Sequence, residues 1–363
     1  MNTATLDLGP ATPNRPATGL LGLAERGLVP DAMLRRAIRH LCAKRLAEES
    51  AGGPGRQAER FGRLIDELKQ SAVAIHTDAA NRQHYELPPR FFELCLGPNL
   101  KYSSCIYRTD NQTLGEAEEA MLALTAERAG LSNNQDILEL GCGWGSLTMW
   151  MARHFPESRI TAVSNSNSQR EYIQARCRER GLNNVRVITH DVQALALPSG
   201  SFDRCVSVEM FEHMRNYDAL MSRIAGWLRA DGSLFVHIFA HRFLMYPFQT
   251  TGQDDWMGRH FFTGGLMPSV DTLLWFDRDL CVADRWLVDG THYQRTADAW
   301  LGRQDANKDE VMQVLEEAYG PAAPLWFQRW RMFWMACAEL FGFDGGQAWM
   351  VAHYRFVRRR TTA

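Results

Sequence analysis

From Asp136 onward, short apolar runs alternate with segments whose apolar residues recur every three to four positions. The runs predict strands at 136–140, 159–164, 185–190, 202–208 and 233–239, and the intervening periodicity predicts helices near 146–154, 167–180 and 217–229. Strands alternating with helices at this spacing imply a parallel, doubly wound α/β sheet. The alternation fails after about 242. Residues 242–280 read as an irregular, aromatic-rich lid or insertion. A strand at 281–288, helices near 295–318 and 324–342, and a final strand from Trp349 to Val357 follow. The last strand alternates well enough to return to the sheet edge, which makes seven strands, mostly parallel.

Upstream the pattern is helical. A helix over 31–50 places Leu34, Ile38, Leu41 and Leu46 on one face, with Arg35, Arg36, Arg39, Lys44 and Arg45 around it. A basic amphipathic helix can lie on lipid, or it can be the solvated side of a packing helix. A second helix near 57–76 turns Phe61, Leu64, Ile65 and Leu68 inward, the segment from His76 to Tyr107 is irregular, and a helix near 113–130 precedes the turn from Leu131 to Gln135. The expected organisation is a disordered tail (1–25), a helical N-terminal extension (26–100), a ligand-binding core (101–241), the lid (242–280), and a C-terminal part that completes the sheet (281–363).

Composition narrows the class. The 363 residues carry a formal charge of -2, so no overall attraction to nucleic acid or anionic membrane is expected. The eight cysteines show neither a CxxC pair nor zinc spacing, which suggests reduced thiols in the cytoplasm and no metal. No apolar run reaches the roughly 18 residues of a membrane span. Residues 1–19 lack a basic-then-apolar signal and read as a tail, not a targeting peptide. A homodimer is compatible with this composition.

The richest chemistry lies in Asp136-Ile-Leu-Glu-Leu-Gly-Cys-Gly-Trp-Gly145, a strand feeding a glycine turn that opens a helix. Dinucleotide folds use GxGxxG here, with a diphosphate on the helix N-terminus. The present turn has glycines at alternate positions and Glu139 on the strand. That carboxylate would repel a pyrophosphate and suits the amino and sulfonium groups of S-adenosylmethionine. The second strand ends in Ser164-Asn-Ser-Asn-Ser-Gln169, which can hydrogen-bond ribose hydroxyls or cap the next helix. After the third strand, Asp191 can accept from an adenine amino group or serve the turn.

The fourth strand ends in Val208-Glu-Met-Phe-Glu-His-Met214, with Glu209, Glu212 and His213 at i, i+3 and i+4. In a helical turn all three share a face, at the carboxyl end of a parallel strand where ligands bind. Methylation of nitrogen needs a free lone pair. His213 is suited to remove the ammonium proton, Glu212 to hold the cation or orient the histidine, and Glu209 to add charge. Ordinary charges at the start of a surface helix are the alternative. His237, His241 and His292 are further candidates, and each can equally be a satisfied core or rim residue. Trp256, Phe261, Phe262, Trp275 and Trp286 offer faces to a cation, worth roughly 0.5–2 kcal/mol each.

From about Asn81 to Val357 the chain resembles the coclaurine N-methyltransferase-like branch of the cyclopropane-fatty-acid synthase family. The resemblance rests on His84-Tyr-Glu-Leu-Pro88, Tyr102-Ser-Ser104, Glu139-Leu-Gly-Cys-Gly143, Glu209-Met-Phe-Glu-His213, Asp254-Asp-Trp256, Gly290-Thr-His-Tyr293 and Trp349-Met-Val351. It implies a Rossmann-like methyltransferase core, a helical N-terminal extension and a lid over the substrate. It also implies that Tyr102 and Ser103 cover S-adenosylmethionine, that Gly141 and Gly143 contact its methionine part, that Asn165 and Gln169 reach the ribose, and that Asp191 and Val192 reach the adenine. In the amine-methylating branch Glu209, Glu212 and His213 match the residues that bind and deprotonate the amine. In the lipid branch a bicarbonate ion acts as base, held by a cysteine, a glutamate, a histidine and a tyrosine, for which Cys105, Glu212, His237 and Tyr293 are candidates. His241, Trp256 and Phe261 complete the expected substrate pocket. The glutamate at 209, where the lipid branch commonly has glycine, favours a small amine over an unsaturated acyl chain.

Overall fold

The computed structural model describes residues 14–74, 87–250, 252 and 255–359, so His84 to Glu86 and Asp254 of the resemblance motifs lie outside the described residues. Its centre is a seven-stranded sheet. The first five strands are β1 (Asp136–Leu140), β2 (Arg159–Ser164), β3 (Val185–Thr189), β4 (Phe202–Val208) and β5 (Leu228–His241). Two short strands, β6 (Tyr246–Pro247) and β7 (Leu266–Met267), pair in the lid, and β8 (Leu280–Val288) and β9 (Trp349–Arg358) complete the main sheet. The order is β3-β2-β1-β4-β5-β9-β8. Neighbours from β3 to β5 are parallel, and β9 runs antiparallel to both β5 and β8. The expected fold class stands, with one correction: the last strand lies inside the sheet, and β8 forms the edge.

Alternation along β1 shows why this sheet is covered twice. Ile137 packs with Leu122, Ala126, Leu147 and Met151, whereas Leu138 and Leu140 pack with Phe211, Tyr217 and Ile224 on the opposite face. Glu139 shares the side of Ile137 and meets Thr148 of the helix that follows β1. Leu122 and Ala126 belong to the helix Leu114–Ala129, which starts with a Thr113/Glu116 capping box and stops at Gly130 in the left-handed conformation.

The helices number, in chain order, α1 (Gly19–Glu25), α2 (Asp31–Glu49), α3 (Gly53–Gln70), α4 (Pro89–Cys95), α5 (Leu114–Ala129), α6 (Ser146–His154), α7 (Asn167–Glu179), α8 (Tyr217–Trp227), α9 (Trp256–His260), α10 (Gly290–Ala306), α11 (Lys308–Tyr319) and α12 (Ala323–Phe341). The expected tail 1–25 therefore contains a helix, and the stretch taken as irregular contains α4. The single helix expected near 295–318 is two, because the backbone leaves helical geometry at Asn307, whose amide donates to the Leu94 carbonyl. In α2 the inward face runs through Leu34, Ile38, Cys42 and Leu46, while Leu41 is exposed. The basic side of α2 is not a lipid face: Arg35 pairs with Glu339 and Asp298, Arg39 with Glu339, and Arg45 with Asp255. Near the start of the chain, Glu25 is fully buried and accepts from the Ala17 N–H, Trp256 Nε1 and Arg329 Nε. That carboxylate ties α1 to the lid and to α12. Among the described residues, no helix is long and apolar enough to cross a membrane.

Candidate active site

Two cavities meet at the carboxyl ends of β1 and β4. The first is lined by Tyr102, Ser103, Glu139, Gly141, Gly143, Asn165, Gln169, Asp191, Val192, Glu209 and His213. All nine residues expected to bind the cofactor are thus brought together. The turn after β1 explains the glycines. Gly141 has φ +77, and a Cβ there would come within 2.8 Å of the Met210 side chain. Gly143 has φ +52, and a Cβ there would meet no protein atom within 4 Å, so its open side is the cavity itself.

Several polar groups in this wall await a partner. The Gln169 side-chain oxygen accepts from the Ser164 hydroxyl, and its Nε2, although buried, has no partner among the described residues. The Ser146 hydroxyl and Trp144 Nε1 are in the same state. Buried orphans of this kind are uncommon and suit a polar ligand such as an amino acid joined to a nucleoside. Asp191 accepts from its neighbour Gln193 through both backbone N–H and side chain, so the turn role is real, and it still faces the cavity. Burial raises the Glu139 carboxyl to about 8, against the Thr148 hydroxyl that donates to it. An ammonium group beside it would favour ionisation. The residues present therefore fit S-adenosylmethionine.

The second cavity shares Tyr102, Glu209 and His213 with the first. The rest of its wall is apolar and largely aromatic, including Phe239, Phe248, Phe262, Tyr293, Trp300 and Phe341. The carboxylate that serves it is Glu209. This residue follows β4 with φ +46, a strained conformation for a residue with a Cβ, and its side chain lines the junction. Oε1 accepts from the Ser104 N–H (3.0 Å) and faces His237 Nε2 (3.2 Å), while Oε2 accepts from the Tyr293 hydroxyl (2.7 Å). Burial raises the Glu209 carboxyl, while the positive charge of Lys101 and the donors Ser104 and Tyr293 work the other way.

His213 closes the short turn Phe211–His213, and its ring stacks on Phe262 of the lid at 5.3 Å between centroids. Burial, and then the charge of Arg215, lower it to about 4, so the ring is neutral near pH 7. Glu212 departs from expectation. It is fully buried, accepts from the Phe239 N–H at 2.9 Å and lines neither cavity. Burial and the neighbouring Glu209 push its carboxyl well above the ordinary range, and Oε2 has no hydrogen-bond partner among the described residues. The three residues do not share a helical face, because the chain leaves β4 at a left-handed Glu209 and only then turns.

The remaining pocket candidates divide. Tyr293 lines the second cavity. His237 stands behind Glu209, outside both cavities. Cys105 is buried with its thiol pushed up to about 12 by loss of water, and it reaches neither cavity. His241 accepts from the Phe243 and Leu244 N–H groups and shapes the chain after β5. Trp256 donates to Glu25, and Phe261 stacks on Phe333, so both are lid core. His292 accepts from the Tyr107 N–H, Trp286 belongs to β8, and Trp275 is half exposed. The four bicarbonate candidates do not converge: His237 and Tyr293 both contact Glu209, whereas Cys105 faces the Ser103 carbonyl and Glu212 the Phe239 N–H. Among the described residues, no group of three His, Cys, Asp or Glu is placed to hold a metal.

Sequence reasoning missed Ser104, which touches Glu209 through its backbone, and the wall formed by α12. Phe333, Cys337, Leu340 and Phe341 recur at i, i+4, i+7 and i+8 and line the second cavity, a stripe that helical periodicity could have exposed.

Comparison with known proteins agrees with this geometry. A family model described as mycolic acid cyclopropane synthetase matches residues 74–349. The (S)-coclaurine N-methyltransferase of Thalictrum flavum subsp. glaucum is 36% identical over 345 residues, covering 94% of this chain and 95% of that one. The cyclopropane-fatty-acyl-phospholipid synthase of Escherichia coli (strain K12) is 30% identical over 279 residues, 76% of this chain and 68% of that one. Among solved structures, a coclaurine N-methyltransferase bound to N-methylheliamine and SAH superposes with a TM-score of 0.90 at 36% identity, over 93% of this chain and 98% of that one. With the glycine turn, the cofactor cavity and these matches in agreement, the chain belongs to the coclaurine N-methyltransferase-like branch of the cyclopropane-fatty-acid synthase family and is an S-adenosylmethionine-dependent methyltransferase.

Proposed function

We propose that the enzyme methylates the nitrogen of a small-molecule amine with an aromatic body. The observation that carries this reading is the second cavity: apolar and largely aromatic, with Glu209 and His213 at its junction with the first. Such a wall accepts a flat apolar body and directs one cationic centre to one carboxylate. The relatives named for coclaurine and the solved structure with N-methylheliamine support the same acceptor class.

In this reading Tyr102 and Ser103 cover the cofactor, Glu139 takes its amino group, and Gly141 and Gly143 leave room for its methionine part. Asn165 and Gln169 serve the ribose, and Asp191 and Val192 the adenine. Bound S-adenosylmethionine supplies an electrophilic methyl carbon on sulfur. The Glu209 carboxylate holds the incoming ammonium group. His213, neutral at pH 7, takes the proton from its nitrogen and frees the lone pair that forms the N–C bond. Glu212, in its neutral form, stands behind this pair and pins the Phe239 backbone. Tyr293 and Ser104 fix the Glu209 carboxylate so that its charge faces the junction.

The test is incubation of the purified chain with methyl-labelled S-adenosylmethionine, in parallel with coclaurine and with vesicles of unsaturated phosphatidylethanolamine. Label on the amine nitrogen is the expected result. Label in acyl chains, lost when bicarbonate is removed, would establish the lipid reading instead. The cysteine pattern, eight residues without a CxxC pair, supports a cytoplasmic location, which cell fractionation checks. Sedimentation of the purified chain tests the homodimer allowed by composition.

A further inference from the structure

Behind Glu209, away from both cavities, a file of polar side chains crosses the sheet. His237 on β5 and His353 on β9 are direct partners in the antiparallel register. His353 Nε2 lies 2.9 Å from His237 Nδ1, and His237 Nε2 lies 3.2 Å from Glu209 Oε1. At the far end, Arg128 Nη1 of α5 lies 2.7 Å from His353 Nδ1, and the guanidinium rests over the Trp286 ring at 5.0 Å. Both histidines are fully buried.

The direction of every hydrogen bond in this file follows from one fact of chemistry. A guanidinium donates and never accepts. His353 Nδ1 must therefore accept, which places the ring proton on Nε2. That N–H donates to His237 Nδ1, which places the second ring proton on Nε2. His237 then donates to Glu209. The file can end only in an acceptor, and an ionised carboxylate is one.

We infer that Arg128 and His353 are positioning residues for methyl transfer: they fix His237 as an Nε2–H donor and so hold the Glu209 carboxylate ionised and aimed at the amine. Arg128 does this from α5, on the face of the sheet that His237 and His353 share, without lining either cavity. Lys101, Tyr293, His213 and Glu212 also face Glu209, from the loop before α5, from α10 and from the turn after β4, and they share in setting its charge. Lys101 also bears on both histidines, where its positive charge works with burial to keep the rings neutral.

The inference depends on the amine-methylation reading only in its kinetic arm, so two measurements separate the failures. The first is nitrogen NMR of the full chain with labelled histidines, His237 and His353 being assigned by loss of signal in His237→Gln and His353→Gln. Both rings are expected neutral with protonated Nε2 and bare Nδ1 at neutral pH. Protonated Nδ1 on either ring would overturn the proposal whatever the substrate. The second is the pH profile of kcat/KM with coclaurine. Arg128→Met is expected to move the acidic limb toward higher pH and to lower kcat/KM at pH 6 by roughly tenfold, the equivalent of one pKa unit. Arg128→Lys, which keeps a donor, is expected to restore most of it, with affinity for S-adenosylhomocysteine unchanged in both. An equal loss at every pH, not rescued by lysine, would show a merely structural residue.

Discussion

The Tyr293 hydroxyl donates to Glu209 across 2.7 Å, joining the first turn of α10 to the left-handed residue that ends β4. Two segments far apart in the chain thereby meet at one carboxylate. Removing the hydroxyl leaves a buried charge short of a donor, and hydrogen bonds to charged groups contribute about 1.5–3 kcal/mol. Tyr293→Phe is expected to lower kcat/KM for the amine by roughly ten- to a hundredfold and to shift its acidic limb upward. Steady-state kinetics against pH checks this, and an unmoved limb counts against the role.

His213 is held near 4 by burial, so it is ready to accept a proton without first losing one. His213→Ala is expected to lower kcat by about 10²-fold or more with little change in cofactor affinity. The deficit should shrink as pH rises and free amine becomes abundant. A near-normal kcat at neutral pH would show that the proton leaves by another route.

Gly143 faces open space with a backbone conformation that side chains resist. Gly143→Val is expected to abolish binding of S-adenosylhomocysteine in calorimetry while the far-ultraviolet spectrum stays native. Retained affinity would move the methionine site elsewhere.

Glu139 ties cofactor binding to protons. A carboxyl raised to about 8 favours the folded state fully below its ordinary value of 4.5, and that contribution is lost as pH rises through about 8. Binding an ammonium group beside it reverses the preference. At pH 7, S-adenosylhomocysteine is expected to release a proton from Glu139 on binding, seen as a heat that depends on the buffer's own ionisation enthalpy. Glu139→Gln should remove that dependence.

Glu25 shows the opposite sign. Burial alone would raise its carboxyl, but the hydrogen bonds from Ala17, Trp256 and Arg329, with the charge of Arg329, hold it below the ordinary range. Its contribution to stability is present above about pH 4.5 and lost as pH falls through the lower folded value. Glu25→Ala removes the carboxylate that pairs with the buried Arg329 guanidinium and is expected to destabilise the fold by about 3–5 kcal/mol, measured by chemical unfolding near neutral pH.

What the sequence revealed follows locality. The strand, turn and helix around Gly141 and Gly143 are contiguous, so pattern and turn chemistry identify them together. Glu209 and His213 are legible for the same reason. Glu212 lies off the face expected of it because the i, i+3, i+4 rule presumes one helix, and the twist at Glu209 is invisible in residue types. Phe333 and Phe341 carry the same stripe whether they face a core or a cavity. Trp256 and Phe261 illustrate the converse, aromatic residues of the lid that pack inward. His353 has no local signal at all: its meaning comes from register against His237, which a strand pattern does not fix.

The placement of β9 between β5 and β8 orders events during synthesis. When β8 emerges from the ribosome its partner does not yet exist, and β5 stands with an unpaired edge until Trp349 to Arg358 arrive. Those late residues close long loops across the sheet, and contacts of high sequence separation form late. The strand that closes the sheet also brings His353, so a nascent chain can build the glycine turn of the cofactor site long before Glu209 has its full set of neighbours. Chaperone capture or truncation in this interval would yield a species that binds nucleoside without catalytic competence.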